Sequence, residues 1–287
     1  MATQLPIFPN ATSLFVHSGN ILNWDRLKKR PLQTPKDEFI ECIKETVSAH
    51  IETTEQTALQ YETELNCVHS EFKEVVPKED RSELKLTVKI FLYHPQPPSV
   101  VREAVEKVLD ELDVDYIETL LLSWNGEFDE EESEVELKLK HVKPFWEVVQ
   151  QLYEEELLLM PGVSDLDNEL LEELYKWATV KPCINQVNLA SCCVMPPELI
   201  EFAKESEIQL LTHSDPKDLF PSKTLQEVIS SCSTKYDGQN WTTEWAVCYS
   251  VVVKCRGIIQ KKGNMVKARR PPRQALLENE AGCSDSH

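Results

Sequence analysis

Through the middle of the chain, apolar residues switch repeatedly between two spacings. Leu86 to Tyr93 (LTVKIFLY) is a short β-rich run closed by the proline cluster of Pro95, Pro97 and Pro98. Behind it, Val101, Ala104, Val105, Val108, Leu109 and Leu112 fall on one face of an amphipathic helix. Tyr116 to Leu122 reads as the next strand, Phe145, Val148, Val149 and Leu152 stripe a second helix, and Leu157 to Val163 forms a third strand. Leu170, Leu171, Leu174 and Trp177 mark a third helix, with Ser164 and Asp167 giving a capping-box-like start. Ile184 to Leu189 is a strand. Pro196 and Pro197 open a helix carrying Leu199, Ile200 and Ala203, as proline's fixed φ suits a first turn. Ile208 to Thr212 is a further strand. Strict alternation of strands and helices predicts a parallel sheet covered by helices. An open doubly wound sheet and an eight-fold barrel both satisfy it. At 287 residues the chain has the length for the barrel, which needs about 250.

Three segments break the alternation. Residues 127–136 (EFDEEESEVE) hold seven acids and read as a solvated loop. Residues 51–82 are polar without a clean period. From Lys254 to Arg273 there are eight Lys or Arg and no acid, read as a strand running into a solvated tail. The organisation expected is a disordered N-terminus over 1–13, one α/β barrel domain over 14–263, and a basic then polar disordered tail over 264–287.

Composition narrows the function classes. A net charge of −19 makes general nucleic-acid binding unfavourable. No apolar run approaches the roughly 18 residues that span a bilayer. The opening MATQLPIFPN lacks the basic and apolar regions of a signal peptide, so a cytoplasmic location is expected. Glycine is scarce, with seven residues against a usual share of about 7%, and neither a Walker loop nor a dinucleotide fingerprint is present. The nine cysteines include no C-x-x-C pair and read as free thiols of a reducing compartment. No Cys or His pair has structural-zinc spacing.

The segments PGVSDLD (161–167), VKPCINQVNLASCCVMPPELIEFAKE (180–205) and IQLLTHSDP (208–216) resemble the second half of the aldo-keto reductases, as does VDYIETLLLSWN (114–125). One branch is closer still. SGNILNWDRLKK (18–29), NQVNLASCCVMPPELIEFAK (185–204), LLTHSDPKDL (210–219) and YSVVVKCRGIIQKKG (249–263) resemble the regulatory (modifier) subunits of glutamate–cysteine ligase, over about residues 14–270. The resemblance implies an aldo-keto-reductase-like (β/α)8 (TIM) barrel, with divergence expected in its N- and C-terminal units. It also implies no reaction of its own and a heterodimer with the catalytic subunit that joins glutamate to cysteine in the first step of glutathione synthesis. The effect implied is a higher apparent glutamate affinity and weaker glutathione feedback.

The reductases need a proton donor and a group that polarises the carbonyl, supplied by Asp, Tyr, Lys and His. The His position falls on Ser123, the Lys position falls on or beside Pro95 next to His94, and no Asp and Tyr turn is found in residues 30–85. The nicotinamide-contacting positions match better: Ser164 and Gln186 agree with the family, Asp165 replaces its usual Asn, and His213 takes the stacking position. NADPH binding through Ser164 and Gln186 is one reading; the plainer one has these residues fold the strand ends. Lys261 and Lys262 are candidates for a 2′-phosphate. The adjacent Cys192 and Cys193 pack a loop, or one forms a reversible intersubunit disulfide that the resemblance makes plausible. The basic stretch is either a solvated tail with a strand at its start or a docking segment for an acidic partner patch, with a nuclear address or nucleic-acid patch a distant third. The tryptophans are more often core or groove fillers than hot spots, and Trp24 is the candidate among them to test at an interface.

Overall fold

The computed structural model describes residues 8–25, 34–55, 62–93, 95–125, 135–188, 194–234 and 236–272. They divide into two compact units. One holds residues 74–219 and 247–262; the other holds the remaining described residues, so the long strands near the C-terminus run through both.

The larger unit carries the predicted alternation. Its parallel strands are β3 (Leu84–Tyr93), β4 (Ile117–Asn125), β5 (Leu158–Ser164), β6 (Ile184–Asn188) and β7 (Gln209–His213), hydrogen-bonded in that order. The helices between them are α2 (Ser99–Leu112), α3 (Val135–Glu154), α4 (Asn168–Trp177) and α5 (Pro197–Glu205). Burial on α2 follows the expected face through Val101, Ala104, Val105, Val108 and Leu112, while Leu109 is half-buried. On α3 the buried stripe is Leu139, Val142, Trp146, Val149 and Leu152. Trp146 therefore takes the place expected for Phe145, and its indole donates to the Val180 carbonyl at 2.9 Å. The N-cap of α4 is Asp167, accepting from Leu170 N–H at 2.9 Å, rather than Ser164. Ser164 ends β5 instead. Pro196 and Pro197 open α5 as expected.

Gly162 fixes how closely β5 sits between its neighbours. A Cβ there would lie 2.7 Å from Leu121 Cδ2 and 2.8 Å from Ile184 Cβ. At the start of β3 and β4, Arg81 makes a two-pronged bond to Glu118 at 2.7 and 2.9 Å and lies over the Tyr116 ring. Glu118 also accepts from Leu86 N–H at 2.8 Å. This buried pair ties the strand bottoms together, where barrel folds place stability rather than chemistry.

The smaller unit contains elements the polar N-terminal third concealed. β1 (Ser13–His17) pairs parallel with β2 (Glu64–Val68), and antiparallel with β9 (Ile258–Arg269). α1 (Pro35–Thr53) begins at Thr34, whose hydroxyl accepts from Asp37 N–H, and buries Phe39, Cys42, Ile43, Thr46, Val47 and Ile51. α6 (Ser222–Cys232) lies against α1, with Phe39 and Phe220 rings 5.2 Å apart. β8 (Thr242–Val253) leads through a turn into β9.

Two boundary expectations are corrected here. The tail expected from residue 264 is strand to Arg269, with Met265, Val266 and Ala268 buried. The N-terminus expected to be disordered through residue 13 has Phe8 and Ala11 buried. One residue explains both. Arg270 donates to the carbonyls of Pro9, Ala11 and Asp237 and stacks on Phe8 and Trp241, clasping the two ends.

The full strand order is β2-β1-β9-β8-β3-β4-β5-β6-β7, and among the described residues no pairing closes β7 on β2. The fold is α/β, a diverged (β/α)8 sheet left unclosed.

Candidate functional site

The strands of the larger unit bring one set of polar side chains to their C-terminal ends, where α/β folds place binding and chemistry. At the centre is Lys89, in the middle of β3 and only 6% exposed. Its ammonium donates to Asp215 Oδ2 at 2.8 Å and Gln186 Oε1 at 2.9 Å, and lies 3.4 Å from His213 Nδ1. A flat sheet would hold β3 about 14 Å from β6 and about 19 Å from β7, beyond any lysine's reach. These contacts therefore require the β3–β7 arc to curl, with Lys89 on its concave face. That curl is the barrel's signature, retained without the closing ladder.

His213, the last residue of β7, has a side chain only 6% exposed. Its Nε2 lies 3.0 Å from both carboxylate oxygens of Asp165, and its Nδ1 lies 3.1 Å from Asp215 Oδ2. Ser164 Oγ completes the cluster, 3.3 Å from His213 Nε2 and 3.2 Å from both the Gln186 carbonyl and Asp165. Asp165 is held at φ +61°, a left-handed conformation that Asp tolerates better than most side chains. The turn lets its carboxylate accept from Asn188 N–H at 2.8 Å while facing the imidazole. Beneath it, the buried Asn185 amide donates to the Leu166 carbonyl at 2.9 Å and pins the turn to β6.

Burial opposes ionisation of all three titrating groups here, and pairing overcomes it. Asp215 is held down to about 2 by the His213 and Lys89 partners. Asp165 is also lowered, through His213, Asn188 N–H and Lys89. Burial alone would lower His213, but its bonds to the two aspartates raise it above the ordinary histidine value. The arrangement is a closed charge network in which cations and anions already answer one another.

Ser164 and Gln186 thus meet, as do Asp165 and His213, while their nearest polar partners are each other. A nicotinamide would have to displace these bonds and sit beside two carboxylates, so the residues do not fit that group as they stand. The lysine of the site is Lys89, not the position at Pro95; His94 lies outside the described residues. Ser123 is buried on β4. Lys89 was legible as a lysine inside an otherwise apolar strand, since a buried lysine is almost always paired. Asp215 carried no comparable signal.

Other expected positions resolve differently. Trp24 is buried against His69 and Phe72, with ring centres 5.1 and 5.4 Å away, so it fills a core rather than faces a partner. Cys192 and Cys193 lie outside the described residues. Cys42 and Cys67 are buried, and burial pushes the Cys67 thiol well up, leaving Cys255 as an exposed thiol among those described. Lys261 is buried in an ion pair with Glu74 and is not free for a phosphate. Lys254 reaches the Ser82 carbonyl at 2.9 Å and Arg269 pairs with Glu244 at 2.9 Å, so several charges of the basic stretch are used inside the fold. No described helix is long and apolar enough to cross a membrane.

The aldo/keto reductase family model matches residues 25–215. Glutamate–cysteine ligase regulatory subunits of Mus musculus and Homo sapiens are 37% identical over 265 residues, covering 92% of this chain and 95% of each relative. A glyoxal reductase of Bacillus subtilis is 32% identical over 45% of this chain and 42% of its own. Among solved structures, a silkworm aldo-keto reductase complexed with NADPH covers 62% of this chain and 45% of its own, at 17% identity and a TM-score of 0.36. By the span of the family match and the near full-length relatives, this chain belongs to the aldo/keto reductase family, in the branch of the glutamate–cysteine ligase regulatory subunits.

Proposed function

We propose that the chain is a non-catalytic regulatory subunit that forms a cytoplasmic heterodimer with the catalytic subunit of glutamate–cysteine ligase. In that complex it raises the apparent affinity for glutamate and weakens feedback inhibition by glutathione. The observation that carries this is the 37% identity running over 95% of proteins named as that regulatory subunit. The site agrees with it. Its acid and base groups are paired among themselves, Ser123 stands where the reductase resemblance expects a histidine, and no side chain here need touch a substrate.

The energetics are modest. A tenfold change in an apparent constant corresponds to about 1.4 kcal/mol of differential affinity for two states of the catalytic subunit. Mixing the two chains and recording glutamate KM and glutathione inhibition tests the proposal, with co-elution as the binding readout. Including and omitting reductant asks whether a cysteine, Cys192 and Cys193 foremost, joins the subunits. A working NADPH-dependent reductase or nicotinamide sensor, which the family match keeps as the alternative, would instead quench tryptophan emission on adding NADPH. The reductase would also oxidise NADPH with a carbonyl substrate.

A further inference from the structure

His213 faces a carboxylate from each of its ring nitrogens, Asp165 at Nε2 and Asp215 at Nδ1. A neutral imidazole has one N–H. With that proton on Nε2 it donates to Asp165, and the Nδ1 lone pair is met by Asp215 N–H at 3.2 Å and the Lys89 ammonium at 3.4 Å. An imidazolium donates on both sides, and its second bond goes to Asp215 Oδ2 at 3.1 Å. One heavy-atom frame thus serves both protonation states with different bonds.

The groups facing the ring can be enumerated by element. β3 supplies Lys89, the turn after β5 supplies Asp165, and the segment after β7 supplies Asp215. From the end of β5 comes Ser164, and from β6 come Gln186 and Asn188, all neutral. With an imidazolium the cluster is electrically balanced; with a neutral ring it carries one net negative charge. Asp165, the most exposed member at 42% of its side chain, brings that charge to the surface.

We propose that His213 is a proton-operated latch at the open edge of the sheet. Protonated, it ties the end of β7 to the turn after β5 through two charge-assisted bonds. Deprotonated, it lets go of the Asp215 carboxylate, accepting from the Asp215 N–H instead, and turns the strand-end face anionic. Asn188 couples the latch to β6, since its N–H binds Asp165 and its amide nitrogen donates to the Asp215 carbonyl at 2.7 Å. The bonds to the two aspartates keep the ring protonated to higher pH than an unpaired imidazole.

The test is NMR on the full chain between about pH 5.5 and 8.5, following the His213 ring and hydrogen exchange at the Asn188 amide, whose N–H binds Asp165. A ring midpoint above 6.5 is expected. Amide protection, corrected for intrinsic base catalysis, should fall by about tenfold across it. Asp165→Asn should lower the midpoint and flatten that fall. A ring titrating at or below 6.5, or protection unchanged through the titration, overturns the latch. The wild-type chain alone decides, whatever the variant's stability.

Discussion

Lys89 and Asp215 form the pair on which the strand-end network is built, and removing one partner should cost more than removing both. Lys89→Met leaves the partly buried Asp215 carboxylate without its ammonium partner, with an expected loss on the order of 3 kcal/mol in urea unfolding at neutral pH. Adding Asp215→Asn should recover much of it; an additive loss would show that the two do not act as a pair. The same network sets two pH dependences of opposite sign. Asp215 sits at about 2 in the fold against 3.8 unperturbed, so its contribution, on the order of 2 kcal/mol, is present above 3.8 and lost as pH falls through 2. His213 is raised, so its contribution is complete below 6.5 and disappears as pH rises through its folded value. Stability measured against pH should therefore decline at both ends, and a His213→Gln chain should lose the upper decline and shrink the lower one, since His213 also helps hold Asp215 down. At this scale the sequence was half legible. Ser164, Asp165, Gln186 and His213 could be placed by resemblance, whereas the contact of Lys89 with β6 and β7 depends on sheet curvature, which a linear pattern does not carry.

At the level of elements, the parallel strands and their helices were readable because each buries a face with a clear period. β1, α1 and β2 were not. β1 is short and buried along most of its length, so no alternation marks it, and α1 carries charges between its apolar positions that blur the stripe. β9 was partly hidden by its lysines and arginines, of which Lys261 pairs with Glu74 and Arg269 with Glu244 once folded. Two substitutions probe how the elements are held. Gly162→Val forces side-chain atoms into Leu121 and Ile184, and should cost about 1–3 kcal/mol in denaturant unfolding while disturbing the Ser164 end of β5. Retention of full stability would mean that β5 is less tightly flanked than described. Arg270→Met strips the Pro9, Ala11 and Asp237 carbonyls of a shared donor. It should open the residues before β1 to limited proteolysis at neutral pH, where the wild-type chain resists.

For the molecule as a whole, the reductase-like arc and the relatives point in complementary directions. The curled β3–β7 sheet and its strand-end cluster preserve the place where the family does chemistry, yet the cluster's charges are spent on one another. On the proposed reading the fold serves as a binding partner, since function resides in sites rather than in the fold that carries them. The regulatory role could not be read from periodicity or charge; it came through extended resemblance, because an interface leaves no spacing rule comparable to a metal or nucleotide motif. The decisive measurement is the steady-state kinetics of the cognate catalytic subunit, alone and saturated with this chain. A lower glutamate KM and weaker glutathione inhibition in a co-eluting complex is the predicted result. Unchanged constants, with the two chains eluting apart in both the presence and absence of reductant, would contradict the regulatory account.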